Sequence, residues 1–180
     1  MKKGLMILNN KVEDVESLAT KALLTRAGYN ITTATLENNL TITTQYNLEV
    51  KVDYYLKDID PTNFDFLIIP GGGHVFNWLN NDLIKNIITK FNNDNKLIAA
   101  ICAAPLFLNE LGLLKSLKFT AFPDVSNDID GIYQKDLKVV QTANFITSRS
   151  AGTVYDFVFE IIKYLDGTAK LQQLKNDIVY

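Results

Sequence analysis

The chain has 180 residues, 47% of them apolar and 21% charged, which are the proportions of an ordinary globular domain rather than of a disordered or fibrous chain. Its 18 basic and 20 acidic residues leave a net charge of −2 with no basic run, so there is no electrostatic basis for binding nucleic acid or an anionic membrane. No apolar stretch approaches the ~20 residues that span a bilayer, the start lacks a cleavage site and a lone cysteine permits no internal disulfide; the sequence predicts a single cytoplasmic domain over residues 1–180.

In chain order, apolar runs of strand length alternate with segments of helical period, the pattern of a mostly parallel sheet covered on both faces by helices. Residues 4–8 form the first, central strand. A helix over 16–27 places Leu18, Ala19, Ala22, Leu23 and Ala27 on one face and closes at Gly28. A strand over 31–35 follows, then a Thr-rich hairpin or edge excursion within 40–52. The unbroken run Phe66-Leu67-Ile68-Ile69 reads as a strand buried on both faces, and it ends in Pro70-Gly71-Gly72-Gly73. Asn81 or Asp82 caps a helix to about Phe91, and 96–101 is the next buried strand. Pro105 launches a helix that stops by Gly112. Short strands near Phe119, Val139 and Phe145 precede helices over 153–165 and 169–176, separated by Gly167.

Three local features carry chemistry. In Leu97-Ile98-Ala99-Ala100-Ile101-Cys102-Ala103-Ala104-Pro105 a buried strand passes through small residues directly into a helix, the form of a nucleophile elbow. Its apex projects over the carboxyl edge of the sheet, and a helix N-terminus beneath the sulfur favours the thiolate. The structural alternative is a buried cysteine acting as a small apolar filler. Second, Glu13-Asp14-Val15-Glu16 follows the first strand on the same edge. Glu16, flanked by Val15 and Leu18, is the member expected to turn inward, where desolvation would keep it protonated and able to pass a proton to a neighbouring sulfur. Third, the backbone N–H groups of the Gly71-Gly72-Gly73 loop form either an oxyanion site or simply a tight turn. His74, the only histidine, is either a base for the cysteine or a solvent-facing loop residue.

These pieces, in this order, resemble the ThiJ/PfpI superfamily, in the branch that contains the parkinsonism-associated protein deglycase, also described as a glutathione-independent glyoxalase. The resemblance covers nearly the whole chain and includes Thr25-Arg26-Ala27-Gly28 at a helix end and Thr147-Ser148-Arg149 with Gly152-Thr153 as a late motif that closes the pocket. It implies a flavodoxin-like three-layer sandwich, a homodimer, and no cofactor or metal. It also implies that Cys102 adds to a small aldehyde such as methylglyoxal, or to a glycated substrate, as a hemithioacetal. Glu16 then shuttles protons, and the N–H groups of Gly72, Gly73 and Ala103 hold the oxyanion. Arg26, His74, Phe122, Arg149 and Gly152 complete the implied pocket. The chain departs from the branch in two places. Phe122-Pro123 stands where a His-Pro pair is usual, and no arginine lies near Asn47-Leu48, leaving Arg26 as the anion-pocket arginine.

The inventory excludes the neighbouring chemistries that share the elbow. No histidine lies downstream of Cys102, and Ala103 rather than histidine follows it, so neither an amidotransferase triad nor a PfpI-type peptidase triad can form. The glycines follow a later strand and do not make a dinucleotide fingerprint. A non-enzymatic alternative uses the same residues: an oxidative-stress sensor or chaperone in which Cys102 is oxidised to a sulfinate.

Overall fold

The computed structural model describes residues 1–180. Its strands and helices follow the order β1 (Lys3–Ile7), α1 (Thr20–Arg26), β2 (Asn30–Thr35), β3 (Thr41–Thr43), β4 (Glu49–Lys51), β5 (Tyr54–Tyr55), β6 (Phe66–Ile69), α2 (His74–Trp78), α3 (Asp82–Asn93), β7 (Leu97–Ile101), α4 (Pro105–Asn109), β8 (Lys118–Phe119), β9 (Ile132–Tyr133), β10 (Val139–Thr142), β11 (Phe145–Ser148) and α5 (Val154–Asp177). Seven strands make one sheet in the order β10-β11-β7-β6-β1-β2-β5, parallel throughout except for the edge strand β10.

Period-two alternation in the central strands divides the core into two layers. Leu5, Ile7, Leu67, Ile69, Ile98 and Ala100 pack on one face with Ile84, Ile87, Ile88 and Phe91 of α3 and with Phe107 of α4. Met6, Leu8, Phe66, Ile68, Ala99 and Ile101 pack on the other with Leu24 of α1 and Phe157, Val158 and Ile161 of α5. This is the flavodoxin-like α/β sandwich expected from the sequence, and each of the larger aliphatic and phenylalanine side chains contributes about 1.5–3 kcal/mol by leaving water. The α3 helix starts where the sequence places it, because the Asn81 Oδ1 accepts from the N–H groups of Leu83 and Ile84 at 3.0 and 3.2 Å. The two helices expected at the C-terminal end run as α5, broken in its dihedrals at Gly167 (φ 82°). No helix is long and apolar enough to cross a membrane.

The first expected helix differs. Residues Val15–Ala19 form a π turn before α1 begins. The wider turn rotates the buried face, so that Glu16, Ser17, Thr20, Leu24 and Ala27 point inward while Ala22 is exposed and Leu18, Ala19 and Leu23 are only half-buried. The strands β5 and β9 and the short helix α2 carry no clear sequence signal. The chain passes from β1 to β2 on one side and then crosses to β6 on the other, and this reversal opens a crevice at the carboxyl edge between β1 and β6.

Candidate active site

Three strand ends build the floor of that crevice. At the end of β7, Cys102 adopts φ 65°, the left-handed region that a non-glycine residue occupies only under constraint. The constraint is visible on both sides: the Cys102 N–H donates to the Ser148 carbonyl at 2.9 Å, and its carbonyl accepts from the Phe122 N–H at 2.9 Å. Ala103 and Ala104 are buried behind it, and Pro105 opens α4. The elbow expected from the small residues is therefore present, with the thiol only partly covered.

After β1, the π turn carries Glu16 inward to 1% exposure. Its N–H donates to Glu13 Oε2 at 2.6 Å, and its own Oε2 accepts from the Gly71 N–H at 2.8 Å. The Ala151 N–H and the Cys102 thiol lie close enough to lower its pKa. Gly71, after β6, lies between the two reactive side chains. A Cβ there would sit 2.6 Å from the Cys102 Cβ and 2.7 Å from Glu16 Oε2, so only glycine lets the acid and the sulfur meet. Gly72 has φ 101° and would drive a Cβ to 2.5 Å from the backbone of Lys11 and Glu13, which fixes the loop against the end of β1. The backbone N–H groups of Gly72 and Ala103 lie close enough to the Cys102 sulfur to pull its pKa down.

The floor opens into a cavity of about 480 Å³. Cys102, Glu16, Gly72, Gly73, Ala103 and Phe122, all singled out in the sequence, line it. So do residues the sequence did not reveal: Gln45 and Tyr46 from the β3–β4 turn, Phe76 of α2, Asp124 and Val125 of the 3₁₀ turn Pro123–Asp128, and Ser150 and Ala151. Asp14 holds the hairpin turn in place, accepting from the Thr44 hydroxyl at 2.6 Å and the Tyr46 N–H at 3.1 Å. Nothing in the local sequence of these turns marks them as cavity wall; their place depends on a long-range contact.

The model of the DJ-1/PfpI family matches residues 2–164. The chain belongs to the DJ-1/PfpI family. Among its curated relatives, Protein dj-1beta of Drosophila melanogaster is 29% identical over 99% of this chain and 97% of its own length. The deglycase PH1704 of Pyrococcus horikoshii is 31% identical over 91% of this chain and 99% of its own. The crystal structure of Drosophila melanogaster DJ-1beta superposes with a TM-score of 0.93, covering 99% of this chain and 97% of that one.

Four residues expected in the pocket of this DJ-1/PfpI chain lie outside its lining. Arg26 is exposed at the last turn of α1, which runs from the carboxyl edge back toward the amino edge and so carries it roughly 15 Å along the helix from Glu16. Arg149 turns away to the β10 side, where its N–H donates to the Lys138 carbonyl and its guanidinium to the Lys135 carbonyl. Gly152 is exposed with open space around it, and its neighbours Ser150 and Ala151 line the cavity instead. His74 is fully buried beneath the glycine loop. Its Nε2 donates to the Pro70 carbonyl at 2.9 Å, and its Nδ1 accepts from Asn9 Nδ2 at 3.4 Å. Burial holds its pKa down to about 4, so it is a neutral strut that fastens the loop to β1. The base that this histidine would have supplied is absent, and Phe122 occupies the cavity wall where the branch usually has its own.

Burial, together with the negative charge of Glu13, raises Glu16 to about 7, although its bonds to Cys102, Gly71 and Ala151 oppose this. Burial first, then the Glu16 charge, push the Cys102 thiol up, while the Ala103 and Gly72 amides pull it down. The sequence expectation of a resting thiolate therefore holds only where Glu16 keeps the proton. In that state the like charge and the accepting carboxylate are gone, and only burial opposes the two amides. The pair thus carries one negative charge above pH 7, shared through one proton. No three His, Cys, Asp or Glu side chains converge in a metal-holding group.

Proposed function

We propose that this protein is a cofactor-independent glyoxalase or deglycase of hydrolase type, acting on methylglyoxal-type aldehydes through Cys102 with Glu16 as proton shuttle. The observation that carries the reading is the pairing, across Gly71 and in one cavity, of a constrained elbow cysteine with a buried carboxyl raised to about 7, beside the backbone N–H groups of Gly72 and Ala103. The relative named a deglycase supports the reaction class.

In the proposed reaction the sulfur bonds to the aldehyde carbon and the carbonyl π pair moves to oxygen. The Gly72 and Ala103 N–H groups hold that oxyanion until it takes the proton carried by Glu16, giving a hemithioacetal. Glu16, now a carboxylate, removes the proton from the same carbon. The electron pair forms an enediol as the adjacent ketone oxygen takes up a proton. Reprotonation at the second carbon, with loss of the first hydroxyl proton, gives an α-hydroxy thioester, and water hydrolyses this to the hydroxyacid and free thiol. The aldehyde carbon is oxidised as its neighbour is reduced, so the sum is one water added and no external oxidant used. In a deglycase reaction the aldehyde carbon is held on an amine as a hemiaminal: the C–N bond breaks, the amine leaves with a proton, the sulfur takes that carbon as the hemithioacetal, and the later steps are the same. The family resemblance also implies a homodimer; a sedimentation mass near the 20.3 kDa of one chain would refute it.

The test is consumption of methylglyoxal with formation of lactate. Turnover by the native protein, its loss in Cys102→Ala and a fall of about 10²-fold in Glu16→Gln are expected. No turnover, together with stoichiometric peroxide oxidation at Cys102, would favour the sensor reading instead.

A further inference from the structure

Four hydroxyl side chains, Thr120, Thr147, Ser148 and Thr153, are buried around the elbow, and none of them lines the cavity or takes part in the chemistry above. Each is tied to one of the two backbone bonds that hold Cys102 at φ 65°. On the amide side, the Cys102 N–H donates to the carbonyl of Ser148, the last residue of β11. The Ser148 hydroxyl donates to the Lys138 carbonyl at 3.0 Å and lies 2.7 Å from the Thr153 hydroxyl. Thr153 Oγ1 also accepts from the Ser150 N–H at 3.2 Å, so it fastens the turn that opens α5 to the end of β11. On the carbonyl side, Phe122 donates its N–H to Cys102, and two residues earlier the Thr120 N–H donates to Thr147 Oγ1 at 3.0 Å. Neighbouring residues of a strand face opposite layers. Thr147 therefore reaches the 120–122 segment in the layer of Phe119 and Ala121, and Ser148 reaches Thr153 in the layer of Val154.

We propose that Thr147 and Thr153 are positioning residues for Cys102, their hydroxyls fixing the two backbone groups that lock the elbow in its left-handed conformation and so hold the sulfur at the floor of the cavity. This role rests on Cys102 being the nucleophile, as proposed above. The four hydroxyls are sealed inside one chain, so a second copy docked on the surface leaves both clamps as they are. A buried N–H that loses its acceptor draws its segment toward a new partner, and a non-glycine residue at positive φ relaxes once its neighbours let it. Release of either clamp therefore swings the sulfur away from the Gly72 and Ala103 amides, which pull the thiol down. The thiolate is lost, while the walls that receive an aldehyde stay in place.

The test uses Thr147→Val and Thr153→Val, which keep the shape of the side chain and delete the hydroxyl, together with Thr147→Ser and Thr153→Ser, which restore it. Thr33→Val is the control: that hydroxyl is equally buried, but it bonds Asp53 on β2 and lies outside the cavity wall. Alkylation of Cys102 by iodoacetamide at pH 8 is read on each folded protein. Each valine variant should react about tenfold more slowly, each serine variant should regain the native rate, and Thr33→Val should keep it whatever stability it loses. With methylglyoxal, the valine variants should lose kcat by a similar factor with KM little changed. Where Thr153→Val does not fold, Ser148→Ala removes the same hydroxyl contact from its other end and should show the same fall. An unchanged or faster alkylation in a valine variant overturns the role of that residue. A loss that serine does not regain, or an equal loss in Thr33→Val, overturns the proposal as a whole. Alkylation needs no turnover: slowed alkylation in a protein that never consumes methylglyoxal would sink the enzymatic reading alone, and native turnover with alkylation unchanged in the variants would sink the positioning role alone.

Discussion

Cys102 and Glu16 can be picked out from the sequence because each sits at a strand-to-helix junction whose neighbours are themselves informative: small residues before the turn at one, an acid between apolar residues at the other. His74, Arg26 and Arg149 could not be placed that way. Burial of His74 depends on Asn9 and Pro70, and the direction of the arginines depends on which end of an element they occupy. The shared proton predicts a pH profile. Below about pH 7 both groups are protonated and no nucleophile exists; above it the pair holds one charge. The kcat/KM for methylglyoxal should therefore rise with pH through about 7, and steady-state kinetics in Glu16→Gln should show that inflection gone. Because His74 faces away from the cavity, His74→Gln should leave kcat unchanged wherever the variant is folded; a large fall in kcat would restore it to the reaction. Phe122→His, which returns a titratable group to the wall beside Cys102, should raise kcat by up to about 10²-fold, the lower end of what a positioned acid or base supplies.

At the level of elements, the site depends on how three turns approach one another. The π turn after β1 brings Glu16 inside, and the loop after β6 passes between it and the elbow with no room to spare. Gly71→Ala places a methyl against both reactive groups, so it should cost about 1–3 kcal/mol by overpacking, and it should cut turnover at least as sharply as Glu16→Gln. Thermal unfolding and turnover read the two effects separately. A variant as active as the native protein would mean that the acid and the sulfur need not touch. The α3 helix provides the contrast. Asn81→Ala removes its cap and should lower stability by about 1 kcal/mol with kcat intact, since nothing in that turn faces the cavity. The helical period alone suggests an ordinary α-helix from residue 16. The π turn escapes such a reading because its five residues are too few to establish a period of their own.

For the molecule as a whole, the alternation of buried runs and helical periods suffices to specify a two-layered core around a parallel sheet, and the layers hold the strand runs it assigns but not the assigned face of the first helix, where Ala22 is exposed. The short pairings β2–β5 and β8–β9 and the wall made by the β3–β4 turn are set by long-range packing that no window of sequence contains. The buried groups also couple folding to pH. Folding raises Glu16 from 4.5 to about 7, so its contribution to stability is full below pH 4.5 and is lost as pH rises through 7. Folding lowers His74 from 6.5 to about 4, so its contribution is full above pH 6.5 and is lost as pH falls through 4. Each amounts to ~3 kcal/mol and the two slopes oppose one another between pH 4.5 and 6.5. Urea denaturation should show Glu16→Gln gaining stability relative to the native protein as pH rises across that range; an unchanged difference would remove the raised Glu16 from the account. The chain has one cysteine, so labelling reports the reactive pair without interference. The most direct test is the rate of iodoacetamide alkylation of Cys102 against pH, followed by mass spectrometry. The shared-proton pair predicts a rise through about pH 7 that disappears in Glu16→Gln, whereas a rise in the ordinary thiol range, identical in both proteins, would contradict it.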